Sequence, residues 1–206
     1  MTLEGRPSSA WWSQARLLPM LLWATAGVCA IAGLMSLWLA SRVPSTISGE
    51  ELTSRMDNSW TLLATATGLL LIITGVVWLA WQRGLARLLL AEGDMRRSPQ
   101  MQMVAWVIPV VAWWWPLRDI RELHGFFDAD EVEFTDLTRR WWICWLAFGA
   151  LQLVAAWIEG SVHTAPGVRV TFVVTGLAGL AALPAAHFAT MMVRQLTGHV
   201  VTALGH

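Results

Sequence analysis

The stretch LLPMLLWATAGVCAIAGLMSLWLA, residues 17–40, decides the fold. It carries no charged side chain and exceeds the roughly 20 residues that a helix needs to cross a hydrocarbon core of about 30 Å. Three further uncharged apolar runs occupy residues 60–81, 141–158 and 170–193. The sequence therefore predicts an all-α integral membrane protein, with four transmembrane helices in one membrane domain over residues 1–206.

The composition excludes the common classes of soluble protein. Of the 206 residues, 56% are hydrophobic and only 14% are charged, and the mean hydropathy is +0.52. Soluble domains have about 25% charged residues, and a soluble fold of this size could not bury so much apolar surface. The 15 Trp residues favour the membrane–water boundary. Membrane lipids are thus expected partners, whereas the net charge of zero argues against nucleic acid.

A fifth apolar stretch, residues 101–116, is too short for a spanning helix, and Pro109 interrupts it. It is followed by residues 117–127, where Leu117, Ile120, Leu123, His124 and Phe127 recur at spacings of three or four. This spacing predicts an amphipathic helix. Its predicted polar face carries the charged side chains Arg118, Asp119, Arg121 and Glu122. Residues 128–138 are rich in Asp and Glu and are predicted to form a solvated acidic loop.

The 14 basic residues, all of them Arg, indicate how residues 101–116 are placed. If this stretch does not cross, 11 arginines lie on the side of both termini, and Arg42, Arg55 and Arg169 lie opposite. If it crosses, seven lie on each side. Because arginine accumulates on the cytoplasmic side, the first arrangement is favoured. We therefore expect a plasma-membrane protein with cytoplasmic N- and C-termini, and a re-entrant or interfacial element at 101–116 on the cytoplasmic side.

The region from residue 96 to residue 123 resembles a known family. It contains three X-Pro pairs and an Arg-Glu pair at characteristic intervals: Ser98–Pro99, Ile108–Pro109, Trp115–Pro116 and Arg121–Glu122, with Trp106 as an aromatic position. This pattern resembles the core motif of the "domain of unknown function 4328" family of small multi-pass membrane proteins. The resemblance implies membrane placement and a motif on the cytoplasmic side, and it supplies no activity.

Arg and Trp side chains around the double-proline element form the first candidate ligand- or lipid-binding site. Its members are Arg83, Arg87, Trp106, Pro109, Trp115, Pro116, Arg118 and Arg121. In one interpretation, guanidinium groups bind a phosphate or carboxylate while Trp rings hold an apolar tail. In the other, these residues anchor the protein at the interface without a specific ligand.

His187 is the second candidate, because it lies inside the last apolar run, one turn after Pro184. Ionisable residues at membrane depth are candidates for function. A proton relay or ligand contact is one interpretation. The other is a neutral His that bonds across helices or to a carbonyl freed by Pro184.

The sequence offers no catalytic motif, and it predicts no metal site and no cofactor. Cys29 and Cys144 lie within apolar runs and are interpreted as packing residues. The leading hypothesis is a non-enzymatic accessory subunit, or an interaction or regulatory component, with other membrane subunits or a second copy as partners. The alternative is a transporter or membrane enzyme that handles a lipid or small molecule through the Trp/Arg pocket.

Overall fold

The computed structural model describes residues 7–42, 58–90, 95–108, 111–127, 131–161 and 164–204. These residues contain no strand, and their helices, in chain order, are α1 (Ser9–Arg42), α2 (Asn58–Leu90), α3 (Pro99–Val104), a 3-10 helix (Val111–Trp113), α4 (Trp115–Gly125), α5 (Glu131–Ser161) and α6 (Ala165–Ala203). Four of them, α1, α2, α5 and α6, are long and apolar enough to cross a membrane. The predicted all-α fold with four transmembrane helices is therefore confirmed.

The four long helices continue beyond the apolar runs that predicted them. The 34 residues of α1 give a length of about 50 Å at 1.5 Å per residue, well over a hydrocarbon core of about 30 Å. Its start is fixed by Ser8, whose hydroxyl accepts a hydrogen bond from the Trp11 backbone N–H at 3.2 Å. A side-chain oxygen at this position satisfies one of the free N–H groups of the first turn.

The prediction of an acidic loop over residues 128–138 was wrong from Glu131 onwards, because α5 begins at that residue. Residues 128–130 lie outside the described residues. The helix forms because Phe134, Leu137 and Thr138 are buried at helical spacing. Charge alone had suggested a loop, but acidic side chains are also favourable near a helix N-terminus.

The predicted element 101–116 consists of short helical pieces. Ser98 caps α3 by accepting from the Met101 N–H at 3.4 Å, and Pro99 occupies the first turn of α3, where its missing N–H costs little. The 3-10 helix and α4 follow after residues 109–110, which lie outside the described residues. The predicted amphipathic helix 117–127 is observed two residues earlier, as Trp115–Gly125, with Pro116 in its first turn.

The chain divides into two compact units. Unit 1 comprises residues 1–22, 73–142 and 187–206. It contains the amino-terminal parts of α1 and α5, the carboxyl-terminal parts of α2 and α6, and the whole connection between α2 and α5. The side chains considered below as a functional site all belong to this unit.

Unit 2 comprises residues 23–72 and 143–186. Within it, α1 and α6 approach so closely that a Cβ added at Gly33 would lie 2.8 Å from Gly176 O and 3.1 Å from Gly179 Cα. Small residues permit such backbone contact in membrane helices. A second contact packs Ala40 of α1 against Phe172 of α6.

Candidate functional site

An aromatic cluster of five tryptophans occupies the interior of unit 1. Its members are Trp78 and Trp81 of α2, Trp106 after α3, and Trp141 and Trp142 of α5. Trp78 stacks on Trp141 with ring centroids 5.3 Å apart. The Trp106 ring lies 6.0 Å from Trp78 and 6.1 Å from Trp142. Because buried Trp rings contribute large apolar area, the cluster anchors the connecting segment to two long helices.

Indole N–H groups reinforce this anchoring. Trp106 Nε1 donates to Gln82 Oε1 at 3.2 Å, and Trp142 Nε1 donates to the Trp113 carbonyl at 2.9 Å. These bonds tie both ends of the segment between α3 and α4 to α2 and α5. The segment is therefore held by specific polar contacts as well as by apolar packing.

Arg97 forms the second polar centre of unit 1. Its guanidinium group pairs with the fully buried Asp119 of α4 and lies 4.1 Å from the centre of the Trp115 ring. Nearby, the Arg96 backbone N–H donates to Glu122 Oε1 at 2.6 Å. Burial raises the pKa of Asp119 from 3.8 to about 6, although the Arg97 charge acts in the opposite direction. The sequence assigned Asp119 to the polar face of the amphipathic helix. Its side chain is nevertheless fully buried, because its partner Arg97 lies 22 residues earlier in the chain.

Arg121 connects α4 to the first turns of α5. Its Nε donates to Thr138 Oγ1 at 3.2 Å, and Nη2 donates to the Thr135 carbonyl at 3.4 Å. Thr138 is itself buried and donates back to carbonyls of its own helix. The guanidinium group is thus bound inside unit 1.

His124 of α4 is packed against α5 and α6. Its ring stacks on Phe134 of α5 at 3.7 Å with an interplanar angle of 7°, and it lies 5.3 Å from the ring of His199 on α6. Burial, followed by the charge that His199 can carry, lowers the pKa of His124 from 6.5 to about 4. His124 is therefore neutral at physiological pH.

A protein-family model described as "Domain of unknown function (DUF4328)" matches residues 49–198. The chain belongs to the DUF4328 family. The matched range includes Gln82, Trp106 and Asp119, while Trp11 and His199 lie outside it. No curated protein and no solved structure matches the chain.

Within this DUF4328 member, the predicted site residues differ in their exposure. Trp106, Trp115, Pro116 and Arg121 are buried or half-buried in the packed contacts of unit 1. Arg87, Arg118 and His187 are exposed. Arg83 is half-buried, and its Nε is buried without a hydrogen-bond partner among the described residues. Pro109 lies outside the described residues.

Sequence reasoning missed four residues that organise unit 1: Gln82, Arg97, Asp119 and His124. Gln82 directly follows the apolar run 60–81, and Arg97 is the second of two consecutive arginines. His124 was placed on the apolar face of α4, where the structure also places it. A polar or ionisable side chain on an otherwise apolar face was the sequence signal that could have identified Gln82 and His124 as residues that organise unit 1.

The contacts that these groups make among the described residues are hydrogen bonds, one buried ion pair and ring packing. In the described part of the chain, no group of three or more His, Cys, Asp or Glu side chains could hold a metal ion. The thiols of Cys29 and Cys144 are both free. Among residues 95–108 and 111–127, the arrangement provides segments held by these contacts, with the side chains of Arg96 and Arg118 exposed.

Proposed function

We propose that this chain is a non-enzymatic component of a larger membrane assembly, in which unit 1 docks on an acidic surface of a partner protein. One observation carries the proposal. Arg97 and Arg121 use their guanidinium groups for internal contacts with Asp119 and Thr138, whereas Arg118 on the same segment is exposed. These internal contacts hold α4 in place, and the Arg118 side chain on the same helix stays exposed.

The exposed charge of unit 1 supports an acidic partner. Its exposed arginines among the described residues are Arg16, Arg87, Arg96, Arg118, Arg139, Arg140 and Arg194. The exposed acidic side chains described in this unit are Glu133 and Asp136, and Asp136 already pairs with Arg140 at 2.6 Å. Arginine is enriched at protein interfaces, and complementary charge steers association.

The proposal places unit 1 on the cytoplasmic side of the plasma membrane, with both termini there. Ten described arginines belong to unit 1 and two, Arg42 and Arg169, belong to unit 2. This division favours the cytoplasmic side for unit 1 under the positive-inside rule. The whole connection between α2 and α5 also belongs to unit 1, which supports a segment that enters or lies at the interface without crossing.

Native mass spectrometry of the full chain, purified from its own membrane in dodecyl maltoside, tests the docking proposal. We expect a second protein chain in fixed stoichiometry, and its loss in Arg118→Glu. The matched control is Arg42→Glu in unit 2, an exposed arginine that contacts its own helix through Trp38. It should retain the partner. A wild-type chain that is isolated alone, or only as a homo-oligomer, contradicts the proposal, as does equal loss in both variants.

A second candidate function is the handling of a lipid or small molecule. It is favoured by Arg83, whose buried Nε has no hydrogen-bond partner among the described residues, because a buried N–H donor needs an acceptor. The two candidate functions depend on residues in different helices. Docking depends on the exposed Arg118 of α4, whereas ligand handling depends on buried groups of α2.

A further inference from the structure

The segment from α3 to the 3-10 helix exposes apolar side chains instead of burying them. Four exposed large apolar side chains lie between residues 101 and 108: Met101, Val104, Val107 and Ile108. The buried residues of the same stretch are Pro99, Gln102 and Ala105. A helix that faces water shows the opposite pattern, with apolar side chains inside and polar ones outside. Exposed apolar surface of this kind marks contact with a protein or a membrane.

The four exposed side chains share one side of the chain, because the backbone stays close to helical beyond the end of α3. The Ala105 N–H donates to the Met101 carbonyl at 3.0 Å, and the Ile108 N–H donates to the Val104 carbonyl at 3.3 Å. At 100° per residue, the four exposed positions fall within an arc of about 120°, and the three buried positions occupy an opposite arc of about the same width. The four exposed side chains are called the apolar face.

Two exposed tryptophans follow directly after the apolar face. The Ala112 N–H donates to the Ile108 carbonyl at 2.8 Å, so the 3-10 helix begins next to the end of the face. Trp113 and Trp114 are both exposed there. Trp is the residue that favours the boundary between membrane and water.

Internal contacts hold this segment with its apolar face outward. Trp106, between Ala105 and Val107, packs in the tryptophan cluster and donates to Gln82. The Trp113 carbonyl accepts from Trp142 Nε1 at 2.9 Å. Because these contacts fix the inner side of the segment, Val107 remains 76% exposed.

The exposed charge beside the apolar face is positive. Residues 95–108 and 111–127 contain four arginines and two acidic side chains. Arg96 and Arg118 are exposed at the two ends, whereas neither acidic side chain of these ranges is exposed. An anionic surface therefore complements this segment.

We propose that the apolar face, together with Trp113 and Trp114, inserts into the headgroup and upper acyl region of an anionic lipid leaflet, with Arg96 at the phosphates. The four transmembrane helices already hold the chain in a bilayer. Interfacial segments bind anionic lipid through apolar area and adjacent basic side chains, and each such arginine favours anionic lipid by about fivefold. The proposal rests on the proposed non-crossing placement of residues 101–116 and is independent of docking through Arg118.

The depth of single fluorescent labels in vesicles tests the insertion. In the full chain with Cys29→Ala and Cys144→Ala, one residue of the apolar face is replaced at a time and labelled with an NBD maleimide: Met101→Cys, Val104→Cys or Val107→Cys. The vesicles contain phosphatidylcholine and phosphatidylglycerol, with a nitroxide quencher near the headgroup or near the bilayer centre. We expect the shallow nitroxide to quench all three labels more strongly, because a segment that lies in the interface keeps them at one depth.

Gly125→Cys is the control for depth, because Gly125 is exposed at the end of α4 and outside the apolar face. Its label should respond mainly to a water-soluble quencher. The three labelled positions of the face are exposed, so each replacement should leave the fold intact. If one variant does not fold, the other two still decide the outcome.

The preference for anionic lipid is measured with the same labels. The nitroxide is carried either on phosphatidylglycerol or on phosphatidylcholine, at equal mole fraction. Phosphatidylglycerol should be enriched about fivefold beside Met101→Cys, and Arg96→Gln should abolish most of this enrichment. The control is Leu153→Cys, an exposed position within the apolar run 141–158, where neither lipid should be enriched.

The possible failures differ from one another. Labels on the face that only the water-soluble quencher reaches overturn the insertion and leave the non-crossing topology intact. Labels that no quencher reaches indicate a covering protein surface and also overturn the insertion. Depths that increase from residue 101 to residue 107 toward the bilayer centre indicate a crossing segment and overturn the topology as well. Equal enrichment beside Met101→Cys and Leu153→Cys overturns the preference for anionic lipid.

Discussion

The guanidinium carbon of Arg97 lies 4.1 Å from the centre of the Trp115 ring, and the same guanidinium pairs with Asp119, one turn further along α4. Asp119 is fully buried, whereas Arg97 retains a small exposed fraction. Arginine suits this position because a planar guanidinium can stack on an aromatic ring and bind a carboxylate at once. The pair joins the residues before α3 to α4.

Breaking this pair from one side should be more harmful than replacing both partners. Arg97→Met leaves a buried carboxylate without its charge partner, and we expect a loss of about 3–5 kcal/mol in the free energy of unfolding. The double variant with Asp119→Leu removes the buried charge and should recover most of that loss. Denaturant unfolding in dodecyl maltoside, followed by Trp fluorescence, measures both values.

The exposed pair Arg140–Asp136 provides the matched control for this cycle. Both side chains are more than half exposed, so Arg140→Met should cost about 1 kcal/mol or less. Equal losses in Arg97→Met and Arg140→Met would show that the burial of Asp119 does not matter. A double variant no more stable than Arg97→Met would show that the pair is not the source of the loss.

Because α1 and α6 are in close contact, we expect the stability of the protein to depend strongly on the glycines at this contact. A Cβ at Gly179 would lie 2.8 Å from Gly33 Cα, so Gly179→Ala must push two backbones apart. Overpacking of this kind costs about 1–3 kcal/mol, which we expect as a loss of stability in the same unfolding measurement.

Gly27 of α1 is the control, because a Cβ added there meets no atom within 4 Å. Gly27→Ala should be neutral or stabilise the protein by up to about 1 kcal/mol, since Ala is the better helix former. A destabilisation that is equal at the two positions would point to glycine flexibility, and away from helix contact, as the cause.

Much of the fold could be predicted from the sequence because each long helix carries an uncharged run of membrane length. The ends of the helices could not. The run 60–81 stops where charge begins, but α2 continues to Leu90, with Leu85, Ala86 and Leu89 buried in unit 1. Helix continuation there depends on packing against other segments, which periodicity within one run does not reveal.

The candidate site was less predictable for a similar reason. Arg121 and Arg118 look alike in the sequence, but one is bound to Thr138 and the other is exposed. Asp119 is buried because Arg97 reaches it across 22 positions. Such pairings depend on how α3 and α4 fold back, and local spacing carries no information about them.

The pH dependence of stability should reflect two buried groups with opposite effects. The folded state lowers the pKa of His124 from 6.5 to about 4, so the unfolded chain binds this proton first, and stability falls as pH drops from 6.5 to 4. The folded state raises the pKa of Asp119 from 3.8 to about 6, so the folded chain binds this proton at a higher pH than the unfolded chain does. Stability therefore rises as pH drops from 6 to 4. We expect a shallow wild-type profile in this range.

Single variants should separate the two contributions. Asp119→Asn should lose stability more steeply on acidification from pH 6.5 to 4 than the wild type. His124→Gln should gain stability over the same range, and the double variant should have a flat profile. Tm values between pH 4 and 7 measure these slopes. Parallel profiles for the wild type and both single variants would exclude these groups as the source of the pH dependence.

The proposed topology makes a prediction about accessibility from the two sides of the membrane. Gly125 at the end of α4 belongs to unit 1, and Ser161 at the end of α5 belongs to unit 2, and both are exposed. In a chain with Cys29→Ala and Cys144→Ala, we introduce a single cysteine at either position. A membrane-impermeant maleimide should label Ser161→Cys in intact cells and label Gly125→Cys only after the cells are opened. The basis is that arginine, which is concentrated in unit 1, is retained on the cytoplasmic side. Labelling of Gly125→Cys in intact cells would instead require residues 101–116 to cross the membrane or the whole chain to be inverted. In both cases Ser161→Cys would be protected, because α5 still crosses from the side of Gly125, so the reversed labelling pattern contradicts the proposed topology.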